Sequence, residues 1–204
     1  MSLITLVPKP IKPLHGTSSY RPISLLPTLS KLFEKMLTKR RLPFLEDLET
    51  MPDHQFGFRK RHSMIEQIHR LTHKIRQDLE KKKYCSAVFL DIQQAFDEVW
   101  HEGLKKLKKI LPHTYYSILK SYLTNRLFMI KYLNVTIAIF PIESGIPQGS
   151  VLGSLSFTIH TADLPTLTQI TTATFADDTA LLASHSDPII ASSTLQRGLD
   201  FMEK

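Results

Sequence analysis

The sequence predicts an α+β chain, with a small antiparallel sheet packed on helices, and three observations lead to that class. Apolar residues recur at helical spacing in several segments, as in Ile65, Ile68, Leu71, Ile75 and Leu79, which is the period of an amphipathic helix. Between such segments lie short runs rich in strand-forming residues, such as Ser86–Ile92 and Thr171–Phe175, of strand rather than helix length. No internal repeat or low-complexity linker separates them, so they belong to one interwoven unit.

The elements follow in order. Prolines 8, 10 and 13 lie among Lys9 and Lys12, which makes Val7–Tyr20 an extended arm or loop. Ser30, followed by Glu34 one residue beyond a strict capping box, and then Leu32, Phe33, Met36 and Leu37, predict a helix to about Arg41. Asp53–Arg61 reads as a basic loop, and Ser63 opens a second helix that ends at the Lys81-Lys82-Lys83 run, where cations oppose the negative end of the dipole. Ser86–Ile92 is a continuous apolar run, consistent with a buried strand ending near Asp91. Gln94–Leu111 turns helical, with Trp100, Leu104, Leu107 and Ile110 on one side, and a further helix spans Tyr115–Leu123. Two strand-like stretches follow, Phe128–Tyr132 and Val135–Ile142, before a helix over Val151–Asp163 that starts on a Gly-Ser turn. Thr171–Phe175 and Thr179–Ala183 predict a hairpin with Asp177 and Asp178 at its tip, and Ser192–Lys204 is helical.

Bulk properties narrow the function classes. With 42% apolar and 22% charged residues the 204-residue chain is globular rather than disordered. A single cysteine, Cys85, excludes a disulfide framework and suits a reducing, intracellular compartment. No apolar run approaches the ~20 residues of a membrane helix, and MSLITLVPKP lacks the basic start and uninterrupted apolar stretch of a secretion signal. The net charge of +7 is uneven: residues 1–62 hold 11 Lys/Arg against 5 Asp/Glu, residues 111–204 hold 5 against 7. That split suggests a polyanion held by one lobe and metal ions by the other. Four histidines cluster at positions 54, 62, 69 and 73, yet no cysteine or third ligand completes a zinc site.

The chemistry is concentrated in Phe175-Ala176-Asp177-Asp178, inside an apolar run, with Asp91 in a similar run far upstream. Carboxylates in oily surroundings are costly as free charges, and the cost falls when they bind metal. Mg²⁺ takes carboxylate oxygens while keeping several waters, and two such ions about 3.5–4 Å apart serve phosphoryl transfer. Because adjacent strand residues point to opposite faces, Asp177 is the first choice of ligand and Asp178 an auxiliary one.

Five blocks in order resemble the reverse transcriptases, specifically the jockey-type branch of the non-LTR retrotransposons. The palm-like blocks are Asp91-Ile92-Gln93-Gln94-Ala95-Phe96-Asp97, Gly145-Ile146-Pro147-Gln148-Gly149-Ser150-Val151-Leu152-Gly153 and Phe175-Ala176-Asp177-Asp178. Tyr20-Arg21-Pro22-Ile23-Ser24-Leu25-Leu26-Pro27 and Gln55-Phe56-Gly57-Phe58-Arg59 resemble its finger motifs, and Val99-Trp100-His101-Glu102-Gly103-Leu104 is similar to jockey elements. The resemblance runs from about Lys9 to Lys204.

It implies a right-hand polymerase fold, with fingers over about 1–85 and 112–145, a partial palm over about 86–111 and 146–204, and no thumb or primer grip. It also implies RNA-directed DNA polymerase activity on an RNA template, a DNA primer and dNTPs. Asp91, Asp177 and Asp178 would hold two Mg²⁺, with Mn²⁺ as a substitute. Phe96 would exclude a ribose 2′-hydroxyl by steric bulk, Gln148 and Gly149 would lie against nucleotide and template, and Arg59 would meet the triphosphate with its planar fork. Lys9, Lys12, Arg21, Lys60 and Arg61 would be further template or phosphate contacts, with solvated surface charge the alternative for Lys60 and Arg61. Ser154, and His160-Thr161-Ala162-Asp163, depart from the pattern of close relatives. The rival reading is a remnant that only binds nucleic acid.

Overall fold

The computed structural model describes residues 2–203 apart from 14, 17–18, 48–51, 60, 93–94, 98, 100–107, 109–111, 133–134 and 163. Most of the expected helix over Gln94–Leu111, with Trp100, Leu104, Leu107 and Ile110, lies outside the described residues, as do Lys60 and Asp163. The chain divides into two compact units, the first comprising 1–50 and 94–160, the second 51–93 and 161–204.

The first unit is built on a five-stranded sheet. Strands β1 (Ser2–Pro8) and β2 (Tyr20–Leu25) form an antiparallel pair, with Thr5 opposite Ile23. The apolar start of the chain is thus a strand, and the proline-rich stretch after it is the connection to β2, a use the sequence pattern did not reveal. Helix α1 spans Thr28–Asp47, two residues earlier and six later than Ser30–Arg41.

The first unit resumes with helix α3 (His113–Leu123) and strand β4 (Arg126–Tyr132), numbered after α2 and β3 of the second unit. β4 pairs in parallel with β1 and antiparallel with both β5 (Val135–Thr136) and β6 (Phe140–Ile142). Helix α4 covers Val151–His160, three residues shorter than expected, and Leu152, Gly153, Leu155, Ser156, Phe157, Thr158 and Ile159 are all buried. A helix buried on every side is a core helix.

Glu34 explains how α4 is held. The residue that looked like a slipped capping-box partner of Ser30 is 1% exposed. Its Oε2 accepts from the backbone N–H of Val151 at 2.7 Å and of Leu152 at 3.4 Å, and its Oε1 from the Tyr122 hydroxyl at 2.9 Å. A carboxylate there satisfies donors that every helix start leaves unpaired and meets the positive end of the dipole. Ser150 Oγ accepts from Gly153 N–H at 2.7 Å and completes the cap.

In the second unit, helix α2 spans Met64–Glu80 with Ser63 as N-cap and Glu66 closing a reciprocal capping box. Strand β3 (Tyr84–Asp91) pairs antiparallel with β8 (Asp178–His185), which in turn pairs with β7 (Ile170–Phe175). Helix α5 (Pro188–Met202) begins four residues before the expected Ser192. Asp187 caps it by accepting from Ile189 N–H at 2.8 Å, with proline in the first turn. One face of the sheet carries Ile170, Leu181 and Ala183 against Leu195 and Leu199 of α5, with Val88 and Leu90 beside them.

β3 is not the buried strand its unbroken apolar run suggested. It lies at the edge of the three-stranded sheet, and Phe89 is 77% exposed. Val88 and Leu90 alternate inward while Ala87 and Phe89 stay outside, the pattern of a strand covered on one face.

Glu34→Ala removes three hydrogen bonds to a buried carboxylate, two of them helix-capping. It is expected to lower stability by about 2–3 kcal/mol, read as a reduced urea midpoint with an unchanged m-value.

Candidate active site

Asp91 is the last residue of β3 and stands directly opposite Asp178, the first residue of β8. Cross-strand partners point to the same face and lie close together, so pairing register alone brings together carboxylates 87 positions apart in the sequence. Asp177 is the second residue of the two-residue loop that joins β7 to β8, since Phe175 pairs with Asp178. The loop turns because Ala176 adopts a positive φ of 59°, the left-handed conformation that such tight hairpins require at their first position. The strand-alternation rule that ranked Asp177 over Asp178 therefore applies only from Asp178 onward.

Asp178 senses the other two acids. Burial, then the charges of Asp177 and of Asp91, push the Asp178 carboxyl above its usual range. Among the described residues no three acidic, imidazole or thiolate groups are gathered closely enough to hold a metal ion as they stand. Carboxylate oxygens are nonetheless the donor type that a hard divalent cation takes. Strand alternation puts Phe89, Ala173, Phe175 and Ala180 on the same face as Asp91 and Asp178. Between this face and Met64, Ile68 and Leu71 of α2 runs an apolar cleft of about 270 Å³.

Arg59 belongs to the same unit. Its Nη1 donates to the carbonyls of Pro52 at 3.1 Å and Gln55 at 3.2 Å, while its buried Nε has no partner. Arg61 is exposed. Of the clustered histidines, His54 is held below its usual pKa by burial and by Arg70, partly opposed by Asp53. The His62 ring packs edge-on against Phe56, and His73 Nε2 bonds Gln77 at 2.9 Å.

Phe96, Gln148 and Gly149 lie in the first unit. The Phe96 ring stacks on the buried Phe157 ring, centroids 5.0 Å apart, and its carbonyl accepts from Ile146 N–H at 2.7 Å. Gln148 accepts at its backbone carbonyl from Ser24 N–H at 3.0 Å, and its buried Oε1 is without a hydrogen-bond partner. Gly149 has φ +98°, a conformation other residues avoid. A cavity of about 360 Å³ is lined by Gln148, Asp97, Phe128 and Arg126. Arg126 offers it a buried, unpartnered Nη1, and desolvation holds its guanidinium below the usual pKa against the opposing pull of Tyr122 and Glu34. Lys9, Lys12 and Arg21 sit on or beside β1 and β2.

A family model described as reverse transcriptase (RNA-dependent DNA polymerase) matches residues 7–204. The chain belongs to the reverse transcriptase family. A Drosophila melanogaster protein named probable RNA-directed DNA polymerase from transposon BS is 48% identical over 193 residues, covering 90% of this chain and 21% of that protein. The RNA-directed DNA polymerase from mobile element jockey of the same fly is 40% identical over 210 residues, covering 98% and 23%. This reverse transcriptase chain thus spans about a fifth of the length of these relatives. Apo telomerase from Candida tropicalis, truncated from its C-terminal domain, matches it with a TM-score of 0.65 over 98% of this chain and 46% of that one. At 13% identity this is a likeness of fold alone.

Several participants gave no signal of their own in the sequence. Phe157 reads as an ordinary core residue until its ring is seen behind Phe96, and Arg126 as a strand-end cation until its pocket is seen. Gln55 and Gln67 hydrogen-bond the backbone of β7 and its loop; only the membership of Gln55 in a motif block set it apart.

The raised pKa of Asp178 has a defined sign. The folded state holds its proton to higher pH than the unfolded chain does, so without metal the cost of its charge, desolvation first and the neighbouring carboxylates after it, is absent below the unfolded pKa and complete once pH has risen through the raised folded pKa. With metal chelated, Asp178→Asn is expected to be more stable than wild type near pH 8. The gain should vanish below about pH 4, where the wild-type group is neutral in both states, as read from urea melts at both pH values.

Proposed function

We propose that this chain is the nucleotidyl-transfer region of an RNA-directed DNA polymerase of a jockey-like mobile element. It would extend a DNA primer with dNTPs on an RNA template. The reading is carried by the register that sets Asp91 opposite Asp178 with Asp177 in the adjoining loop. The family match and the jockey and BS relatives support it.

On this reading the sheet of β3, β8 and β7 is the floor of the palm. Asp91, Asp177 and Asp178 hold two Mg²⁺, or Mn²⁺, which when bound supply Lewis-acid activation of the primer 3′-hydroxyl and neutralise charge on the departing pyrophosphate. Phe96, backed by Phe157, presents a ring that a 2′-hydroxyl cannot pass; stacking on a buried partner keeps the gate from yielding. The unpartnered Oε1 of Gln148 supplies an acceptor to nucleotide or template, and Gly149 leaves its backbone open beside it. Arg59 keeps Nη1 for its own loop and directs the remainder of its guanidinium to the triphosphate. Lys9, Lys12, Arg21, Lys60 and Arg61 contact phosphates, a salt-sensitive contribution.

In the full-length protein, Asp177→Ala is expected to cut Mg²⁺-dependent primer extension about 10³-fold or more while RNA affinity survives; full activity of that variant rules the assignment out. Phe96→Val should raise incorporation of ribonucleotides relative to deoxynucleotides about 10–100-fold, measured in competition on one template.

A further inference from the structure

We infer that Gln55 is a positioning residue for Asp177, an inference that rests on the function proposed above. Gln55 is 2% exposed and lies in the loop before α2. Its backbone pairs in parallel with Thr174 of β7, where Phe56 N–H donates to Thr174 O at 2.9 Å and Thr174 N–H to His54 O at 2.8 Å. Its side chain then reaches past the end of the strand. Oε1 accepts from Ala176 N–H at 3.1 Å and from Gly57 N–H at 2.8 Å, and Nε2 donates to Ala176 O at 3.3 Å.

Those bonds grip the peptide groups on both sides of Ala176, and the second of them leads directly into Asp177. The grip falls where the backbone needs it. Ala176 stands in the left-handed region with a Cβ that makes it unfavourable, and no glycine or asparagine eases the turn. An unclamped alanine would relax toward negative φ and swing the following peptide, and with it the direction of the Asp177 side chain.

Gly57 completes the saddle. A Cβ there would meet Ala176 N at 2.1 Å and its Cα at 2.8 Å, so the loop approaches the hairpin more closely than any side chain permits. Gln67 of α2, 4% exposed, anchors the assembly by donating to His54 O at 2.7 Å and Thr174 O at 3.1 Å. The block Gln55-Phe56-Gly57 therefore acts on chemistry through the hairpin's backbone. Residues that orient metal ligands in this indirect way typically alter metal affinity or activity about 10–100-fold.

The test uses the full-length protein and Mn²⁺ as probe, with Mn²⁺ affinity measured by calorimetry and primer extension measured for kcat and for the dNTP KM. Gln55→Met keeps the volume and removes all three side-chain bonds. It is compared with Ser63→Ala, which loses the α2 cap of the same unit without touching the hairpin. The expected result for Gln55→Met is Mn²⁺ binding about 10–100-fold weaker and a comparable fall in kcat, with the dNTP KM nearly unchanged. Ser63→Ala should bind Mn²⁺ and turn over like wild type. Gly57→Ala, with Gln55 in place and a Cβ forced against Ala176, should reproduce the Gln55→Met result and serves if the latter does not fold. Gln55→Met and Gly57→Ala that match wild type in Mn²⁺ affinity and kcat overturn the inference. Mn²⁺ binding and activity that persist in Asp177→Ala overturn instead the function on which it rests.

Discussion

Bringing the Asp91 and Asp178 carboxylates to one end of a sheet, with Asp177 in the adjoining loop, is the constraint to which the second unit answers. Desolvation first, and then the charges of Asp177 and Asp91, make the Asp178 carboxylate costly to hold there, as its raised pKa registers, so the backbone that carries it must be rigid. The rigidity comes from the ordinary grammar of a sheet. β3, β8 and β7 are locked in register from Tyr84–His185 to Asp91–Asp178, and Leu181, 0% exposed, fills the face beneath with Ile170 and Leu195. A register slip of one residue would turn Asp91 and Asp178 to opposite faces and expose that core at the same time. Packing and the placement of charge thus stand or fall together.

The first unit solves a related problem with a buried charge instead of an exposed one. Glu34 is taken out of water, yet it accepts hydrogen bonds from Tyr122 and from the start of α4, so little of its acceptor capacity is wasted. The consequence reaches the candidate site, because α4 carries Phe157, the ring on which Phe96 stacks. The loop before that helix brings Gln148, whose backbone is tied to Ser24 of β2. A polar residue of α1 therefore stabilises the elements that present the proposed sugar gate and nucleotide contact.

Legibility in the sequence followed the range of the interactions involved. Ser63 and Glu66 announce α2 because a capping box is complete within four residues. The hairpin around Asp177 and Asp178 was equally clear, since its turn and its flanking strands are adjacent in the chain. The Asp187-Pro188 start of α5 is equally local, a capping aspartate followed by proline four residues ahead of Ser192. The role of Glu34 is not legible locally, because Val151 and Leu152, which it caps, lie 117 and 118 positions away. β3 looked buried because an apolar run does not say how many of its faces will be covered. β1 has no strand signal of its own, and its last two residues fall in the proline-rich stretch that reads as an arm; its parallel pairing with β4 joins residues more than a hundred apart.

By itself the sequence determined the family, the α+β class and the identity of the chemical groups. Motif residues are set by what the reaction requires, and the helices and hairpin that bear them are set by local periodicity and turn chemistry. Only the tertiary structure decided that Asp91 faces Asp178, that Gln55 and Gly57 seat the loop before Asp177, and that a glutamate from α1 caps α4. Each of those depends on which backbone donors and acceptors meet across a long stretch of chain. That outcome is chosen by burial of the whole core rather than by any residue's neighbours in sequence.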